Sequence, residues 1–173
     1  MIRHYLLLVL AAALCSGCML SGTPHTFSND TDSITVHREP TARWPNEDGS
    51  TVLEFGTQPM GITCLMIHVA ADGTLLAHWD ALSLANRARI GPGMDQATVR
   101  RLLGPYRIIQ NFRFSGEEVW DWNVENDGPG YATRFNVHFV DGKVTRTSQT
   151  YEFGREDALF NPFRLAFSPS RFH

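Results

Sequence analysis

The sequence predicts an α+β fold of two tandem repeats, each of short helices packed on a three-stranded antiparallel β-meander. Three observations lead there: a motif that recurs in the second half of the chain, alternating apolar runs joined by Asp-Gly turns, and helical signals ahead of them. Gly49, Val52, Glu54 and Phe55 recur as Gly116, Val119, Asp121 and Trp122, all at an offset of 67. Leu65 to Val69 faces Phe135 to Phe139 at an offset of 70, and Asp72-Gly73 faces Asp141-Gly142 at 69. Glu39-Pro40 answers Gly104-Pro105 at 65. Such drift is what loop insertions produce in a duplicated unit. A degenerate copy therefore spans 31–79 and a fuller copy 80–151.

The N-terminus is expected to leave before folding. Arg3 and His4 precede the apolar run Tyr5 to Leu14, and small residues follow it. A cationic start, a short apolar core and a small-residue cleavage point make a secretory signal peptide over 1–17. The run is too short to span a bilayer, which takes about 20 residues. Residues 18–30, rich in Ser, Gly, Thr, Pro and Asn, read as a flexible tether.

In the first copy, Asp32 to Glu39 stands where a helix is expected, with His37 and Arg38 in place of apolar residues. Its strands are expected around Val52 to Phe55 and Leu65 to Val69, with a third after Asp72-Gly73. In the second copy, Asp80 to Ala88 predicts a short helix and Gln96 to Leu103 a second one. Val99, Leu102 and Leu103 share a face of that second helix, Asp95 is its N-cap, and Gly104-Pro105 stops it. Trp120, Trp122 and Val124 alternate with Asp121 and Asn123, and Phe135, Val137 and Phe139 with Asn136 and His138. Period-two alternation predicts strands buried on one side, and Asp141-Gly142 a tight hairpin. The tail, 152–173, carries five phenylalanines among Pro, Arg and Ser with no regular period. It is left open between a loose segment, one packed on the sheet, and one docked on a partner.

Composition narrows the function. Net charge is −3, and the one lysine, Lys143, stands apart from dispersed arginines, so nucleic-acid binding has no electrostatic footprint. Cys15 leaves with the signal peptide and Cys18 is the candidate lipidation site, which leaves Cys64 without a partner and expected to be buried. No cofactor, metal or small-molecule substrate is expected. His68 and His138 occupy matched positions, but no cysteine or fixed-spacing carboxylate joins them into a metal site, and a solvated sheet face accounts for both. Glu117, Glu118, Asp121, Glu125 and Asp127 fall along one exposed strand and its turn, where acids are solvated rather than paired for catalysis. No Gly-x-Ser-x-Gly elbow or His-Glu-x-x-His helix occurs, and an enzyme is not expected. Gly91-Pro92-Gly93 reads as a capping turn. Trp120, Trp122 and Phe55 are assigned to the core. Trp44 and Trp79, near strand ends, are candidate partner contacts, and His68, His138 and Asp121 join them on the polar faces.

Leu14-Cys15-Ser16-Gly17-Cys18 resembles the lipobox of bacterial lipoproteins, which implies acylation of Cys18. Met19 follows it, where the inner-membrane retention signal places Asp, so the resemblance implies the periplasmic face of the outer membrane. Gly91-Pro-Gly-Met-Asp95, Leu102-Leu-Gly-Pro105, Val119-Trp-Asp-Trp122 and Asp141-Gly-Lys-Val144 together resemble the BamE (SmpA/OmlA) family of outer-membrane lipoproteins. That likeness implies two helices on a three-stranded sheet and an accessory role in outer-membrane protein assembly or envelope integrity, with barrel-assembly subunits as partners. The tandem helix–sheet layout is also similar to secreted β-lactamase inhibitor proteins, which implies the alternative of a periplasmic protein-binding or inhibitor module.

Overall fold

Ten strands in three sheets dominate the computed structural model, which describes residues 24–153. Strands take up 48% of these residues and helices 9%, so the α+β expectation is overturned: the chain is mostly β. The signal peptide, Cys18 and nearly all of the phenylalanine-rich tail lie outside the described residues.

The first correction concerns the start of the fold. The stretch expected as tether and degenerate helix forms a hairpin, β1 (His25–Ser28) with β2 (Ser33–Val36). Ile34 and Val36 are β-branched and alternate with Ser33 and Thr35, a pattern that suits a half-buried strand and crowds a helix. Asn29 closes the turn, its Oδ1 accepting from Thr31 N at 2.9 Å and Asp32 N at 2.7 Å. Its Nδ2 donates to the Leu75 carbonyl at 3.0 Å and ties the hairpin to the first sheet.

Each meander has four strands rather than three. The first sheet runs β3 (Ala42–Pro45), β4 (Thr51–Gly56), β5 (Cys64–Val69) and β6 (Leu75–Asp80) in spatial order. The second runs β7 (Ile108–Phe112), β8 (Glu117–Val124), β9 (Ala132–Val140) and β10 (Lys143–Glu152). All neighbours are antiparallel. The added strand lies upstream in both units, β3 in one and β7 in the other. The repeat is visible in the backbone: Gly49 before β4 and Gly116 before β8 take φ of 82° and 69°, values glycine adopts without a Cβ penalty.

Two helices connect the sheets, α1 (Leu84–Arg87) and α2 (Gln96–Leu103). The Asp95 side chain caps α2 by accepting from Thr98 N at 2.7 Å, and that bond holds its carboxyl below its ordinary pKa. Gly104 ends the helix at φ 76°. A Cβ there would stand 2.3 Å from Cys64 Sγ, while the Gly104 carbonyl accepts from Trp122 Nε1 at 3.3 Å. The end of α2 is thus seated between the two sheets. Cys64 itself is fully buried, and burial pushes its thiol up to about 12.

The larger core follows from this placement. It joins Cys64 and Met66 of the first sheet, Val99 and Leu103 of α2, and Trp120, Trp122, Phe135, Val137 and Phe139 of the second. A smaller core lies on the other face of the first sheet, where Leu53, Phe55, Ile67, Val69 and Leu75 meet Val36, with Phe27 and Ile34 packed against them. No helix among the described residues is long and apolar enough to cross a membrane.

Candidate binding groove and buried polar layers

Cross-strand pairing aligns the helix-facing side of the first sheet into two rows. One row is Trp44, Val52, His68 and Ala77; the next is Ala42, Glu54, Met66 and Trp79. Between this face and α2 lies a groove of about 390 Å³, where Trp44, Val52, Trp79 and Leu102 supply apolar lining. Arg89 and Arg101 stand exposed beside it. Each arginine is held by an amide rather than a carboxylate: Arg101 donates to Asn46 Oδ1 at 2.6 Å and Arg89 to Asn86 Oδ1 at 2.9 Å. Trp79 is 37% exposed. Trp44 is braced from below, its Nε1 donating to Glu54 Oε2 at 3.2 Å and its ring lying 5.4 Å from the Arg100 guanidinium carbon, a cation–π arrangement.

Of the five candidate contacts, three gather on this face. Trp44 and Trp79 line the groove, and His68 reaches it through Asn46, bonding Ser50 Oγ at 2.9 Å and Asn46 Nδ2 at 3.4 Å. His138 and Asp121 lie on the second sheet and do not join them. Residue spacing alone does not mark Val52, Arg89, Arg101 and Leu102 as lining. The hairpin register that sets Trp44 opposite Val52 would have found Val52, whereas Arg89, Arg101 and Leu102 come to the groove only through the packing of the helical segment.

The polar strand faces are not solvated, which corrects the sequence reading of Asp121, Asn123, Asn136 and His138. Asp121 is 1% exposed and Glu54 fully buried. These two carboxylates are repeat equivalents, and each receives a guanidinium fork. Arg100 donates to Glu54 at 2.6 and 3.0 Å, and Thr41 Oγ1 adds a bond at 2.8 Å. Arg107 donates to Asp121 at 2.7 and 2.8 Å. Bidentate, charge-assisted pairing of this kind lets an acid sit inside a sheet face. Neither carboxylate is free for proton transfer.

His138 is buried in the second layer, with Ser148 Oγ at 2.9 Å from Nε2 and Glu117 Oε2 3.6 Å from Nδ1. Burial lowers its pKa below 6.5, and nearby Arg146 acts in the same direction. The unfolded chain therefore binds the proton more readily, and stability falls as pH drops through 6.5. Denaturant titrations at pH 7.5 and 5.5 are expected to show this fall, and His138→Gln to flatten it; parallel pH dependence in both proteins would contradict the assignment. No three His, Cys, Asp or Glu side chains converge to hold a metal ion among the described residues.

No family model matches the sequence, and neither does any curated protein. Among solved structures, a candidate β-lactamase inhibitor protein from Streptococcus mutans aligns over 65% of this chain and 75% of its own, at 8% identity and a TM-score of 0.31. That score is too low for the likeness to carry an argument about fold or function, so the geometry of the groove is what bears on function.

Proposed function

We propose that the chain is a non-catalytic lipoprotein, anchored through Cys18 at the periplasmic face of the outer membrane, that holds a segment of a partner protein in the Trp44–Trp79 groove. One observation carries the reading: paired indoles and aliphatic lining lie beside two exposed arginines that no carboxylate of the described residues engages. Aromatic and arginine side chains dominate the binding energy of protein interfaces, and here both stand at one groove. The more specific role, an accessory or scaffold in outer-membrane protein assembly or envelope integrity, rests on the sequence resemblance.

The test places a photo-crosslinking amino acid at Thr98, which lines the groove and is exposed, in the full-length lipidated protein. An adduct with a barrel-assembly subunit is expected. Trp79→Ala is expected to weaken that subunit's affinity by about 2 kcal/mol, roughly thirtyfold, and Cys18→Ala to abolish palmitate labelling. An adduct with a single envelope enzyme would replace the assembly role with the inhibitor role. Binding untouched by both Trp79→Ala and Arg89→Ala would remove the groove from the account.

A further inference from the structure

A second cavity, of about 440 Å³, is lined in part by α1 and has Asp80, Arg87, Glu125 and Asp127 among its lining residues. Its size falls within the range of about 300–1,000 Å³ typical of small-molecule sites. Arg87 is the unusual member. It is 5% exposed, its Nε donates to the Leu82 carbonyl at 2.9 Å, and its guanidinium carbon lies 5.6 Å from the centre of the Phe135 ring. Its Nη1 is buried without a hydrogen-bond partner. A buried guanidinium with no counter-ion is costly, because the charge gives up water and recovers little in exchange.

Carboxylates are near, yet they do not fill that role. Asp80 is committed to its own turn, Oδ1 accepting from Cys64 N at 2.9 Å and Leu82 N at 3.0 Å. Glu125 and Asp127 are exposed in the same cavity wall, and the ion pairs of the described residues include no contact between them and Arg87. The cavity therefore carries both signs of charge in one lining, with apolar Ile62, Leu82 and Leu84 beside them. Such a lining suits a molecule that carries both a negative and a positive group.

We infer that this cavity binds a small zwitterionic ligand, its carboxylate on the Arg87 fork and its ammonium at Glu125 and Asp127. The inference is independent of the Trp44–Trp79 groove. A carboxylate there supplies a counter-charge to the Arg87 guanidinium, whose planar fork suits carboxylate recognition. An ammonium there gains from two exposed acids that pair with no cation among the described residues. The aliphatic lining accommodates the carbon chain linking the two groups.

The experiment is isothermal titration of the full-length, detergent-solubilised protein with 6-aminohexanoate, and with hexanoate and hexylamine as single-charge probes. Glycine and 4-aminobutanoate measure the preferred separation of the charges. At least one ω-amino acid is expected to bind saturably, about tenfold or more tighter than either single-charge probe. Arg87→Gln is expected to abolish this binding. Because that change touches a buried group, Glu125→Gln combined with Asp127→Asn provides a second test on exposed side chains, with an expected loss of about tenfold. Saturable binding by none of the amino acids would overturn the proposal. So would hexanoate binding as tightly as 6-aminohexanoate, or affinity indifferent to the double variant of Glu125 and Asp127.

Discussion

Glu54→Ala is expected to lower unfolding free energy by about 3 kcal/mol, near the bottom of the range for breaking a buried ion pair. The lower end applies because the Arg100 side chain keeps 27% of its exposure and can turn partly to water. The loss has three parts. Arg100 forfeits a bidentate partner, Trp44 Nε1 loses its acceptor, and Thr41 loses a side-chain acceptor. The pair also spans the two repeats, joining β4 to α2 across 46 positions of sequence. Urea titration should show a lower midpoint at unchanged slope. Replacing both partners, Glu54→Met with Arg100→Met, should recover much of the loss, since a packed apolar pair leaves no stranded charge. A single-variant cost under about 1 kcal/mol would mean that the pair contributes no more than a surface bridge.

Trp122→Ala should cost about 3–5 kcal/mol, the range for emptying a buried aromatic site. The ring is fully buried and packs beside the Trp120–Tyr106 pair, 6.3 Å from Trp120 and 6.5 Å from Tyr106, centre to centre. Its Nε1 also accounts for the carbonyl that terminates α2. Trp122→Phe retains most of the apolar volume and loses that bond, so an intermediate cost is expected. Trp79→Ala is the control: the side chain is 37% exposed and outside both cores, so a smaller cost than at Trp122 is expected. Equal costs at positions 79 and 122 in the same denaturant titration would contradict the core described here.

Much of the second repeat was legible in the residues themselves. Asp95, the spacing of Val99 and Leu103, and Gly104 mark α2 from cap to stop, because each supplies a local backbone requirement. The alternation around Trp120 and Phe135 locates β8 and β9. What local pattern does not report is which layer covers a face. Asp121 reads as solvated because alternation separates two faces without showing that Arg107 reaches over one of them. β7 leaves no sequence signal for a related reason: Ile108 to Phe112 is an exposed edge strand, so burial imposes no alternation on it. In the first repeat, the expected homology in sequence placed a helix where β-branched Ile34 and Val36 favour a hairpin. Trp44 and Trp79 were singled out by position near strand ends, while their meeting at one groove depends on a register that pairs β3 with β4 and β5 with β6. Arg87 carried no signal, since an arginine on a short helix ordinarily points to water.

The way the chain enters its fold has a mechanical consequence. A pull from the N-terminal side loads β1 first, and β1 is held to β2 by four residue pairs, His25 with Val36 through Ser28 with Ser33. The hairpin rests on the smaller core and is tied down by Asn29 to Leu75 and by His78 to Asp32 at 2.9 Å. Such a ribbon peels pair by pair and separates at a lower load than the sheets beneath it, as weakly supported units open ahead of a global transition. The groove lies on the opposite face of the first sheet, shielded by the larger core. If the N-terminus is tethered as proposed, the hairpin would act as a fuse, taking up tension while the sheet that forms the groove keeps its shape.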